Sequence, residues 1–189
     1  STKNIIDCAI SNNVKNFVFV STDKAVDPEN IMGATKRLGE IYIQIVAQKY
    51  LINYCVVRFG NVLSSSGSVI PLFTRQIEEG GPITITDKEM TRYFMTLEEA
   101  SELIIQSSAI NSNKGIFILD MGQPVKIFDI AKRLIRLSGR RYGNDEKDDN
   151  VIPIKIVGKR KGEKIHEKLS SSMDFIDTEH PKIKICNED

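Results

Sequence analysis

Phe17-Val18-Phe19-Val20-Ser21-Thr22-Asp23-Lys24 is a short, unbroken apolar run that ends on four polar residues. An apolar run without alternation predicts a strand buried on both faces of a parallel sheet, because neither face meets water. Upstream, Ile5, Ile6, Ala9 and Ile10 follow helical spacing. That helix should stop at Asn12-Asn13, whose side chains compete for backbone groups and favour caps and turns. Downstream, Met32 to Tyr50 contains no Pro, and Leu38, Ile41, Ile45 and Val46 read as the core-facing stripe of a long helix. Tyr54-Cys55-Val56-Val57 and Ile116-Phe117-Ile118-Leu119 repeat the buried-strand pattern. Helices alternating with such runs give an α/β fold with right-handed parallel crossovers.

Between and after these strands the pattern changes. Val69 to Glu79 predicts a helix closed by Gly80-Gly81, followed by a β segment at Ile83-Thr84-Ile85-Thr86. Thr96 and Glu99 form a capping box that opens a helix to about Ile110. Ile127, Ile130, Ala131, Leu134 and Ile135 define an amphipathic helix ending at Ser138-Gly139. Arg140 to Asn150 is polar and aperiodic, a surface loop before a strand at Ile152 to Val157. The resulting division is 1–68 as part of a sheet domain, 69–169 as a mixed α+β region with one strand near 115–121 returning to the sheet, and 170–189 as a tail.

Composition narrows the function classes. Lys and Arg number 26 against 25 Asp and Glu, a net charge of +1, so no global field draws in nucleic acid or an anionic membrane. The basic cluster Lys159-Arg160-Lys161 with Lys164 is interrupted by Glu163 and Glu167 and lacks an aromatic ladder, which argues against nucleic-acid binding. Cys8, Cys55 and Cys186 are odd in number and far apart, as reduced buried thiols are, and His166 and His180 have no companion at metal-ligand spacing. No protein-bound metal is expected. No apolar run approaches the roughly 20 residues that span a bilayer, and Ser1 opens no signal-peptide pattern. A cytoplasmic location is expected, at the face of the inner membrane if a longer parent carries an upstream anchor.

Ligands of open parallel sheets bind beyond the carboxyl ends of the strands, where Ser21-Thr22-Asp23-Lys24 falls. Met32 and Lys36 are i and i+4 on the following helix and project to one side. The whole string Ser21-Thr22-Asp23-Lys24-Ala25-Val26-Asp27-Pro28-Glu29-Asn30-Ile31-Met32-Gly33-Ala34-Thr35-Lys36-Arg37 resembles the active-site segment of the CapD-like UDP-N-acetylglucosamine 4,6-dehydratases. These form a branch of the extended short-chain dehydrogenases that includes nucleotide-sugar epimerases. The similarity continues through Arg58-Phe59-Gly60-Asn61-Val62-Leu63, Gly67-Ser68-Val69-Ile70-Pro71, Met90-Thr91-Arg92-Tyr93-Phe94-Met95-Thr96 and Gly158-Lys159-Arg160-Lys161-Gly162-Glu163-Lys164, covering about Ser1 to Leu169. Two positions depart from the family pattern and bear on phosphate contacts: a serine pair precedes Gly67 where arginine is usual, and Lys161 stands where proline is common.

The resemblance implies the C-terminal part of a Rossmann-like parallel sheet with a small appended α+β substrate-binding region. It also implies NADP or NAD as cofactor and a UDP-sugar such as UDP-N-acetylglucosamine as substrate. Relatives usually carry a Tyr four residues before the Lys as the proton acceptor. Here that position is Met32, which has no proton to give and cannot be the base. In the implied reaction Lys36 binds the cofactor ribose and Ser21 or Thr22 hydrogen-bonds the sugar's C4 oxygen. Lys24 takes the C5 proton and Asp23 protonates the leaving C6 hydroxyl. Ser21, Lys36, Phe59 and Gly60 are the implied cofactor contacts, and Asn61, Val69, Arg92 and Arg160 the implied substrate contacts. The Gly-rich phosphate-binding turn of a dinucleotide site is absent from the sequence. The chain is therefore expected to begin inside the helix before the catalytic strand and to associate with a missing N-terminal half or with further copies. Two alternatives stay open: a UDP-sugar 4-epimerase, and an inactive fragment acting as a partner module.

Overall fold

The computed structural model describes residues 1–189 except 64, 66, 111–113, 146, 172, 173 and 187–189. One of the serine pair before Gly67, Ser66, thus lies outside the described residues. The elements are α1 (Thr2–Ser11), β1 (Asn16–Val20), a 3-10 turn (Asp23–Ala25), α2 (Ile31–Tyr50), β2 (Asn53–Arg58), β3 (Asn61–Val62), α3 (Val69–Glu78), β4 (Ile83–Ile85), β5 (Thr91–Arg92) and β6 (Phe94–Met95). They continue with α4 (Leu97–Ala109), β7 (Lys114–Leu119), β8 (Val125–Lys126), α5 (Ile127–Leu137), β9 (Arg141–Tyr142), β10 (Val151–Ile152), β11 (Ile154–Ile156), β12 (Phe175–Asp177) and β13 (Ile183–Cys186).

The chain divides into two compact units, the first comprising Ser1–Gly60, Glu98–Gly122 and Lys168–Asp189. Its five-stranded sheet has the order β1-β2-β7-β13-β12. The first three strands are parallel and the last two antiparallel, so the sheet is mixed. Ile6, Phe19, Ile43, Ala47, Val56 and Ile116 form one apolar core between the helices and the sheet. Three expectations are corrected here. β1 is not buried on both faces: among the described residues it pairs only with β2, and at this edge Val20 is 42% exposed. The stripe expected to face the core on α2 largely faces outward, with Leu38 66% and Ile45 60% exposed. Gly39, Glu40, Ile43, Val46 and Ala47 are buried instead. An added Cβ at Gly39 would meet the Phe19 ring at 2.9 Å, so the small residue is what lets the helix lie close to the sheet. Finally, the segment expected as a tail supplies β12 and β13, and β13 buries Ile183 and Cys186 against β7. Short stretches of alternating polarity near a terminus gave no sign of that pairing.

The second unit comprises Asn61–Leu97 and Gln123–Glu167. Helices α3 and α5 enclose a core of Phe73, Ile77, Ile83, Ile127, Ala131, Ile135 and Ile152. The strand expected at Ile152 to Val157 is split at Pro153, which has no N–H to donate to a ladder. β10 pairs with β9 and β11 pairs with β4. Among the described residues no helix is long and apolar enough to cross a membrane.

Candidate active site

The polar tip of β1 is laid down by backbone hydrogen bonds that continue past the strand. Ser21 N–H donates to Val57 O at 2.8 Å and Asp23 N–H to Phe59 O at 3.1 Å. The chain then turns through the 3-10 segment, where Thr22 Oγ1 accepts from Lys24 N–H at 3.4 Å. Asn30 caps α2, its side-chain oxygen accepting from Gly33 N–H at 2.8 Å. A Cβ at Gly33 would lie 2.1 Å from Lys24 O, so only glycine lets the first turn of α2 rest on the 3-10 turn. This close approach sets the first turn of α2, with Met32 beside Gly33, against the turn that carries Asp23 and Lys24.

Asp23 has no exposed surface. Its Oδ1 accepts from Thr22 Oγ1 at 2.9 Å and from Lys24 Nζ at 2.8 Å. Asp23 Oδ2 is buried and has no hydrogen-bond partner among the described residues. The Lys24 side chain covers the carboxylate and is itself 23% exposed. Met32 is 48% exposed. Lys36 Nζ donates to Val20 O at 2.9 Å and sits 4.9 Å from the centre of the Phe19 ring, a cation fixed at the carboxyl end of β1.

Behind this surface lies a buried charged group that the sequence reading missed. Glu40 and Arg58 have no exposed surface. Glu40 Oε1 accepts from Ser21 Oγ at 2.5 Å and from Arg58 Nε at 2.9 Å. Its Oε2 accepts from Arg58 Nη2 at 2.7 Å and Arg37 Nη1 at 3.1 Å. The one available signal was an arginine ending the otherwise apolar Tyr54 to Val57 strand, since a charge there needs a buried partner. The network changes the expected part of Ser21: its only proton goes to Glu40, and the Thr22 proton likewise goes to Asp23. Both hydroxyl oxygens keep acceptor capacity only. Phe59 is buried, and Gly60 N–H is directed at Met121 Sδ, 2.7 Å away.

The expected substrate contacts lie in the second unit. Asn61 opens β3, its N–H donating to Tyr93 O at 3.0 Å, and Val69 is the half-buried first residue of α3. Arg92 is buried, and its guanidinium donates to the carbonyls of Thr91, Ile165 and Lys164 at 2.7, 3.0 and 2.8 Å. This fork holds the segment after Arg160 in place. Arg160 is exposed, and its own N–H donates to Glu163 Oε2 at 3.1 Å.

Residues 1–188 match the family model described as "Polysaccharide biosynthesis protein". The chain belongs to the polysaccharide biosynthesis protein family. Within this family it is 53% identical over 182 residues to the capsular polysaccharide biosynthesis protein CapD of Staphylococcus aureus, covering 96% of this chain and 28% of CapD. It is 37% identical over 180 residues to a UDP-glucose 4-epimerase of Rickettsia canadensis, covering 94% of this chain and 50% of the epimerase. The X-ray structure of Pen from Bacillus thuringiensis superposes with a TM-score of 0.83 at 36% identity, over 97% of this chain and 56% of that one. The chain thus spans little more than half of these relatives at most. The likeness to CapD and the Rossmann-like α/β architecture stand as the sequence suggested.

Proposed function

We propose that this polysaccharide biosynthesis protein carries the catalytic end of a nucleotide-sugar epimerase or dehydratase, and that its reaction is the 4,6-dehydration of UDP-N-acetylglucosamine. The observation that carries this reading is the Asp23–Lys24 contact of 2.8 Å, in a chain whose Met32 takes the sequence position of a tyrosine base. Elimination of water needs a base at C5 and an acid at the C6 oxygen, and two adjacent proton-handling groups suit it better than one.

The residues present fit a nicotinamide and a hexose at the carboxyl ends of β1 and β2. Among the described residues Asp23 Oδ2 is a buried oxygen without a hydrogen-bond partner. The Lys36 ammonium has three donors and directs one at Val20 O, which leaves capacity for ribose hydroxyls. Met32 offers a half-exposed apolar side chain without a proton. NADP or NAD bound there supplies reversible hydride transfer between C4 and C6 of the hexose, and the C4 ketone acidifies C5. Lys24 takes the C5 proton. Asp23 gives its proton to the C6 oxygen, the C6–O bond breaks, and water leaves. Lys24 then returns its proton to C5 as hydride reaches C6. Asp23 is reprotonated from solvent, which has received the proton released by the C4 hydroxyl. The resting ion pair and the acid–amine pair that does this contain the same protons, and differ only in the side of the 2.8 Å contact on which one of them lies. Because Asp23 is fully covered, the Lys24 side chain lifts away as the hexose enters.

Epimerisation at C4 is the second reading, favoured by the 37% identity to the Rickettsia epimerase. Product analysis with the complete enzyme separates the two. Dehydration gives a 4-keto-6-deoxy sugar lighter by one water, whereas epimerisation gives an isomer of unchanged mass. Lys24→Met in the complete enzyme should suppress dehydration by about 100-fold or more, the size of a lost general base. Near-normal turnover in that variant removes Lys24 from the reaction.

A further inference from the structure

We propose that the buried Glu40–Arg58 pair is a positioning device for Ser21. It fixes Ser21 Oγ as a hydrogen-bond acceptor toward an O–H or N–H group of the ligand at the end of β1. The inference rests on the function proposed above.

Ser21 is buried, and its hydroxyl meets Glu40 Oε1 at 2.5 Å. A carboxylate has no proton to give, so the serine must donate, and rotation about the Cβ–Oγ bond is fixed. The carboxylate in turn has no freedom. Two parallel contacts of 2.9 and 2.7 Å clamp it to the Arg58 guanidinium, and Arg37 adds a third donor at 3.1 Å. Glu40 lies on α2 four residues after Lys36, and Arg58 ends β2. The same pair therefore ties together the helix and the strand that carry the rest of the site. Burying two charges for stability alone is poorly rewarded, since apolar residues of similar volume commonly do as well or better. What an apolar pair cannot provide is an acceptor for the Ser21 proton.

This difference is the basis of the test, performed on the full-length enzyme. Glu40→Leu combined with Arg58→Met removes both charges together and avoids leaving either one orphaned. The double variant should melt close to wild type. Its kcat should fall about 10- to 100-fold, the scale of a misplaced reacting group, with KM little changed. Adding Ser21→Ala to that variant should change kcat less than about twofold, although Ser21→Ala alone lowers it as the double variant does. Glu40→Gln keeps an oxygen that accepts from Ser21 but turns its NH2 toward Arg58 Nη2 and Arg37 Nη1, so it should lower stability yet retain more turnover per folded molecule than the double variant. The proposal is overturned if the folded double variant turns over at the wild-type rate. It is equally overturned if Ser21→Ala costs as much in that background as in wild type. A wild-type enzyme that turns over no UDP-hexosamine refutes the proposed function instead. The positioning claim is then judged by thermal unfolding, where strictly additive effects of Ser21→Ala and the Glu40→Leu/Arg58→Met pair, which removes the acceptor, would end it.

Discussion

Glu40 illustrates how much of this site depends on a single buried side chain. Its carboxylate takes hydrogen bonds from Ser21, Arg58 and Arg37 and has no contact with solvent. Replacing it alone by Ala leaves the Arg58 charge buried beside an empty space, and breaking such a pair on one side costs about 3–5 kcal/mol. Glu40→Ala is therefore expected to lower the urea midpoint sharply, and a midpoint within error of wild type would show that solvent reaches Arg58. The residues proposed for the reacting end could be nominated from the sequence because they are close in the chain. Ser21 to Lys24 and Met32 to Lys36 are related by one turn and one helical repeat. The Glu40–Arg58 pair could not, because it needs the register of α2 against β2. The structural partners of Arg92 were hidden for a similar reason. Its likeness to phosphate-binding arginines is a matter of side-chain type, whereas its carbonyl partners at Lys164 and Ile165 are more than seventy residues away.

Helix α2 is the element on which both the fold and the site depend. Its sequence is apolar on more than one side, so periodicity alone could not choose between the Leu38–Ile41–Ile45 stripe and the Ile43–Val46–Ala47 stripe. The choice is made by glycine: Gly33 and Gly39 lie on the buried side and allow backbone-close packing. The two glycines should respond differently to substitution. At Gly39 an added methyl group meets the end of the Phe19 ring at 2.9 Å, and a modest ring shift can accommodate it. A Gly33 methyl group instead meets the Lys24 carbonyl oxygen at 2.1 Å, and only backbone displacement can relieve that contact. Gly33→Ala should cost about 1–3 kcal/mol or more as overpacking and should also displace the Asp23–Lys24 turn. Thermal melts of the two variants should rank Gly33→Ala as the more damaging, with a loss of turnover that exceeds its loss of folded protein. An equal or reversed ranking would mean that α2 does not rest on the 3-10 turn.

Across the whole molecule the three thiols report on packing and on alkaline stability. Cys8 is exposed on α1, whereas Cys55 in β2 and Cys186 in β13 are buried. A thiol reagent at mildly alkaline pH should therefore modify one cysteine of the native chain promptly and all three after denaturation; prompt modification of a second would mean that the sheet opens. Burial pushes the Cys55 thiol up to about 12, because the thiolate cannot be solvated between β1 and β7. In the unfolded chain the same thiol titrates near 8.5. Between these values the unfolded state has released a proton that the folded state retains, so ν_U is smaller than ν_N and unfolding free energy falls as pH rises. The slope from this group is about 1.4 kcal/mol per pH unit. Lys3, Lys126 and Lys182 act in the same direction. Hydrogen bonds to Asp7, Glu89 and Glu99 raise their folded-state values, and the stability they contribute is lost as pH rises through those values. Cys55→Ala separates the contributions, since it removes the thiol and leaves the exposed lysines untouched. Urea unfolding at intervals from pH 8 to 11 should give a steeper decline for wild type than for Cys55→Ala, and parallel declines would show that the thiol titrates in the folded protein as it does in water.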